Sequence, residues 1–187
     1  MTICPDTTFY VALRFYDDTH HDAATDYFEQ QPEDLFLSSP WHRGEVFNTL
    51  RQFAHGQRAV LREADARRII HRLEADVRVG YFQHLESDWR NVLRVASDIS
   101  ARHGFAQSWR SADLLHVAYA KDLGADHFVS FDDDQVDLAK AAGLKAVRPR
   151  WTPQAPLLPS KPALPLSTND FATRNRHRLT EKALMAR

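Results

Sequence analysis

The stretch over 112–123 is apolar on nearly every side. Leu114, Leu115, Val117, Ala118 and Ala120 leave little polar face, with Ser111 before it as an N-cap and Gly124 after it as a stop. Such a helix is normally buried, so the rest of the chain has to supply layers around it. The residues after it have β-α-β order: a strand over 128–130 that closes at Asp132, a helix over 135–142 stopped by Gly143, and a last strand over 144–147. Strands joined by helices favour a parallel sheet covered on both faces, an α/β class.

The N-terminal half follows the same logic. A short strand over 2–4 delivers Asp6 to its C-terminal edge, and the apolar stretch over 9–16 reads as a helix packed beneath it. A second helix over 21–30 is interrupted by Pro32, and Leu35, Phe36 and Leu37 make a compact second strand. Ser39-Pro40 opens a helix that continues to Gly56, with serine as N-cap and proline in the first turn. Apolar residues at helical spacing then predict two long helices, over 63–85 and 88–103, an all-α middle.

The chain of 187 residues suits one domain plus an appendage. Six of the nine prolines fall between Pro149 and Pro165, so a domain over 1–149 is expected to give way to a Pro-rich linker and basic tail over 150–187. A short helix over 169–187 would be marginal alone. No apolar run reaches the roughly 18 residues of a membrane span. The N-terminus lacks the basic and apolar regions of a secretory signal, so a cytoplasmic protein is expected. The lone Cys4 is expected to pack in the first strand. Net charge is −1, and the tail carries seven Lys or Arg against Asp170 and Glu181, which leaves the remainder acidic. Any affinity for a polyanion must therefore be local.

Four acids stand where an acid is costly unless it is used. Asp6 follows a strand and starts a helix. Glu45 lies on a helix with Asn48 on a shared face, Asp113 in the first turn of the apolar helix, and Asp132 at a strand end. Singly, each has an ordinary explanation as a cap, a turn residue or a solvated side chain. Gathered in one pocket they would repel one another and be driven toward protonation unless a cation compensated. Mg²⁺ suits such a set, because it takes oxygen ligands and joins carboxylates to substrate phosphate.

The segments Asp6-Thr7-Thr8, Glu45-Val46-Phe47-Asn48, Ser111-Ala112-Asp113-Leu114-Leu115-His116-Val117-Ala118 and Val129-Ser130-Phe131-Asp132, with Leu138-Ala139 and Ala142-Gly143-Leu144 after them, closely resemble PIN domains of VapC-type toxins over roughly residues 1–147. The resemblance implies an α/β/α sandwich with a central, mainly parallel sheet. It also implies Mg²⁺- or Mn²⁺-dependent endoribonuclease activity, a homodimer, and inhibition by a cognate VapB-like antitoxin. Its implied ligands are Asp6, Glu45 and Asp113, with Asp132 aiding metal or water placement. Thr8 and Ser130 would bond the carboxylates, and Asn48 would orient Glu45 or substrate. Three features depart from the pattern: Pro5 before Asp6, the run Asp132-Asp133-Asp134 that leaves the fourth ligand open, and the Pro-rich extension.

Arg43 and Arg110 border the expected pocket and are candidate phosphate contacts. His116, one turn after Asp113, reads as a satisfied core histidine, and the four tryptophans as packing residues. His20-His21 lacks the companions of a zinc site. The alternative to a nuclease is a non-catalytic PIN-fold module that binds RNA or protein. A haloacid dehalogenase-type phosphohydrolase is disfavoured because Thr7 and Thr8, rather than x-Asp, follow Asp6.

Overall fold

The computed structural model describes residues 1–57 and 59–151. The Pro-rich stretch from residue 152 onward and the helix expected over 169–187 lie outside them. In chain order the elements are β1 (Thr2–Pro5), α1 (Thr7–Arg14), α2 (His21–Glu29), β2 (Leu35–Ser38), α3 (Pro40–Phe53), α4 (Glu63–Val79), β3 (Phe82–His84), α5 (Trp89–His103), α6 (Ser111–Asp122), β4 (His127–Val129), α7 (Asp133–Ala141) and β5 (Lys145–Val147). The five strands form one parallel sheet in the order β3-β2-β1-β4-β5.

Successive strand residues point to opposite faces, and the two cores divide accordingly. Ile3, Phe36 and Val129 pack with residues of α1 to α4 on one face. Cys4, Leu35, Leu37 and Phe128 pack with residues of α5, α6 and α7 on the other. The result is the expected α/β/α sandwich. Helix α6 contributes Val117, Ala118, Tyr119 and Ala120, all fully buried, which is why it carries no continuous polar face. Cys4 is buried beneath it, and burial, then the charge of Asp6, pushes its thiol up, away from reactivity.

The helix expected over 63–85 is in fact two elements. α4 ends at Val79, Gly80 follows in the left-handed conformation with φ 88°, and β3 then joins the sheet edge beside β2. Three residues are too few for an alternating pattern to reveal a strand, and Phe82 fits either reading. Gly80 is the signal that ends the helix. A Cβ at Gly80 would meet nothing within 4 Å, so Gly80→Ala isolates the backbone cost. It should lower stability by about 1 to 2 kcal/mol in urea unfolding.

Because all strands run the same way, their C-terminal ends share one edge. Asp6 after β1 and Ser130 to Asp132 after β4 leave adjacent central strands there, where open parallel sheets ordinarily bind ligands. The N-termini of α1 and α7 open at the same edge, capped by Asp6 and Asp132.

Candidate acidic active site

Asp6 is fully buried. Its Oδ1 accepts from the Thr8 hydroxyl at 2.7 Å and from the Phe9 amide at 3.1 Å, and its Oδ2 accepts from the Ser130 hydroxyl at 2.8 Å. These are donors from two elements, so the carboxylate is locked between α1 and the end of β4. Ser130 Oγ also accepts from the Asp132 amide at 2.8 Å, and Thr8 Oγ1 from the Phe131 amide at 2.9 Å, which ties the β4–α7 loop to the same point.

Glu45, on the inward face of α3, is held by two side chains. The Thr7 hydroxyl donates to its Oε2, and His116 Nε2 lies in hydrogen-bond contact with the same oxygen. His116 is fully buried, and its Nδ1 has no partner among the described residues. Asp113 is 5% exposed, and its Oδ2 accepts from the Arg110 amide at 3.2 Å. Asp132 caps α7, its Oδ1 accepting from the amides of Asp134 and Gln135.

Burial drives Asp6 above the ordinary carboxylate range, against the opposing charge of His116 and the bonds from Thr8, Ser130 and Phe9. Burial also raises Asp113, with the Arg110 amide opposing and the charge of Asp132 adding to the rise. For Glu45 burial raises, but the His116 contact and the Thr7 bond outweigh it and hold the group below its ordinary value. A carboxyl raised on folding binds more protons in the folded state, so its contribution to stability falls as pH rises from 3.8 through the raised folded value. Asp113→Asn should therefore gain thermal stability relative to the parent in EDTA as pH rises from acid to neutral. Equal pH profiles would contradict this.

Asp132 lines the same cavity as Thr7 and Thr8, whereas Asp133 pairs with Arg148 and Asp134 accepts from Gln107. Asn48 is exposed, and its side chain makes no hydrogen bond among the described residues. Arg43 points elsewhere: it pairs with Glu74 at 2.6 Å, lies 4.8 Å over the Phe47 ring, and lines a separate cavity. Arg110 is exposed at the start of α6, its charge favouring ionised Asp113. Thr7 and His116 are contacts of Glu45: the sequence assigned Thr7 no role and read His116 as a satisfied core histidine, whereas its Nε2 meets Glu45. His116 lies at i+3 from Asp113 on an apolar helix, and that spacing was its only trace.

The donor set is hard oxygen, which fits a divalent cation, and among the described residues neither Asp6 nor Asp113 has an ion pair with Lys or Arg to balance it. Yet among the described residues no three acidic, His or Cys side chains converge as a ready metal cage. Asp6, Glu45, Asp113 and Asp132 are the residues of this edge whose oxygens could hold a cation.

Known structures share this fold. The toxin VapC20 of Mycobacterium tuberculosis, described as cleaving the sarcin-ricin loop, is 23% identical, with a TM-score of 0.57, over 79% of this chain and 99% of that one. VapBC2 of Rickettsia felis, bound to a promoter DNA fragment, is 10% identical over 80% of this chain and 100% of that one, with a TM-score of 0.57. FitAcB of Neisseria gonorrhoeae is 16% identical, with a TM-score of 0.56, over 77% and 95% respectively. No curated protein matches the sequence. Among the described residues no helix is long and apolar enough to cross a membrane. Residues 3–141, three quarters of the chain and all four acids, match the model of the PIN domain, and the chain belongs to that family.

Proposed function

We propose that this PIN domain is a Mg²⁺-dependent, VapC-like endoribonuclease toxin, with Mn²⁺ able to serve in place of Mg²⁺. The observation that carries the reading is Asp6: a carboxylate buried completely at the C-terminal edge of the sheet, held by three donors, with no Lys or Arg paired to it among the described residues. Asp6, Glu45 and Asp113 hold the ion in this reading, and Asp132 assists. A bound divalent ion would polarise the phosphodiester and supply a hydroxide-like water. The chain's own part is positional. Thr8 and Ser130 fix Asp6, Thr7 and His116 fix Glu45, and the Arg110 side chain at the mouth of α6 is available for a phosphate.

A cognate VapB-like antitoxin belongs to the same reading, supported by the VapBC and FitAB complexes that share the fold, and a homodimer and a cytoplasmic location are proposed with it. One observation favours a second reading, a non-catalytic module that binds RNA or protein: the carboxylates are not gathered into a cage as they stand. Total cellular RNA incubated with the purified protein in Mg²⁺, Mn²⁺ or EDTA separates the two. Fragments formed with either metal and absent in EDTA support the nuclease; binding of RNA without turnover in both metals supports the module.

A further inference from the structure

Beside the acids, and sharing Asp132 with them, lies a cavity of about 310 Å³. Its polar wall consists of Thr7, Thr8, Asp18, Thr49 and Asp132. Thr49 stands one helical turn after Glu45 and shares its face. Its apolar wall is Val11, Phe53 and Phe131, and the His20 ring lies parallel on Phe131, 4.5 Å between centroids and 3° between planes. The cavity therefore adjoins Glu45 through Thr7 and Asp6 through Thr8.

The hydrogen-bonding character of that wall is one-sided. A hydroxyl has a single proton to give. Thr7 donates its proton to Glu45 and Thr8 to Asp6, so both face the cavity as acceptors only. Asp132 adds carboxylate acceptors, and so does Asp18, which is fixed by accepting the His20 amide at 2.8 Å. Against these stand two side-chain donors in the lining, the Thr49 hydroxyl and the His20 ring. A ligand matched to this cavity brings N–H donors on a flat apolar body.

We propose that the cavity is a nucleobase subsite that takes an unpaired, amino-bearing base next to the reacting phosphate and discriminates against uracil. Unpaired bases are recognised by stacking on aromatic and His rings combined with hydrogen bonds to their edges; here His20 already covers buried Phe131, so the outer face of the His20 ring is the platform. The exocyclic amino group of cytosine, adenine or guanine supplies the donors that the wall lacks. Uracil keeps one N–H, at N3, but flanks it with two carbonyl oxygens, and its O4 stands where cytosine has that amino group, against acceptors.

The inference rests on the RNA-cleaving reading, so its test is run in EDTA, where binding is read without cleavage. The full chain is titrated with fluorescent oligocytidylate and oligouridylate of equal length. Oligocytidylate should bind about 5-fold tighter or more, the discrimination expected of one good edge contact. Asp18→Ala, which removes an acceptor of the wall, should bring the ratio toward unity, and Thr49→Trp should fill the cavity and weaken oligocytidylate most. Equal binding of the two oligonucleotides by the parent protein overturns the subsite while leaving the nuclease reading standing. Binding of neither also overturns the subsite, while cleavage in Mg²⁺ or Mn²⁺ decides the nuclease reading independently. If Thr49→Trp leaves the ratio intact but abolishes binding of an arginine-containing peptide, the cavity belongs to a peptide and the proposal fails.

Discussion

An Asp6→Asn protein should fold, match or exceed the parent's stability in EDTA near neutral pH, and lose RNA cleavage together with any stabilisation by Mn²⁺. The fold tolerates the change because asparagine is as good an N-cap as aspartate, so the Phe9 amide keeps its acceptor. Ser130, deprived of Oδ2, has a second acceptor already at hand in the Asp132 carbonyl at 3.3 Å. The substitution removes a buried charge that burial disfavours, so it does not weaken the metal-free protein above the ordinary aspartate range. It also removes the charge that the cation needs. A ligand that binds only the folded state stabilises it by about 2.7 kcal/mol at a hundredfold excess over Kd, enough to read as a shift in Tm. The parent should show that shift with Mn²⁺ and Asp6→Asn should not. A mutant that unfolds early in EDTA would place Asp6 among purely structural residues.

The second large effect concerns His116. His116→Ala should reduce metal affinity or cleavage by about 10- to 100-fold, the usual penalty for removing a group that orients a metal-holding side chain. Glu45 is held by the Thr7 hydroxyl and the His116 ring, and one of those anchors sits on the fully buried face of α6. Loss of packing alone would lower stability without changing metal affinity in the molecules that remain folded. His116→Gln separates the cases, since its amide N–H₂ can restore a donor toward Glu45 where alanine cannot. Rescue of Mn²⁺ affinity by glutamine, with alanine still defective, identifies His116 as a positioning residue; equal defects in affinity from both would leave it a packing residue.

Much of this architecture was legible because it is written in period and punctuation. The helix α6 announces its burial by lacking a polar stripe, α3 by Ser39-Pro40, and the sheet by strands alternating with helices. β3 was not legible. A strand of three residues at a sheet edge has no pattern of its own, and its register against β2 is set by tertiary pairing. The same limit applies to the site. Asp6 and Asp132 sit at strand ends, where sequence spacing alone suggests them, and the Thr8 and Ser130 bonds to Asp6 come from residues close to the strand ends. The Glu45 to His116 contact joins residues 71 positions apart, and nothing local encodes it. Arg43 shows the converse. Two positions before Glu45 on a helix is a different face, so closeness in sequence did not bring it to the acids, and it pairs instead with Glu74 on α4.

The most direct test of the central claim is cleavage of one RNA preparation by the parent, Asp6→Asn and Asp113→Asn proteins, compared in Mn²⁺ and in EDTA. Discrete fragments are expected from the parent in Mn²⁺ alone and none from either variant, with all three proteins folded. Fragments that persist in EDTA, or in a folded Asp6→Asn protein, would contradict the claim.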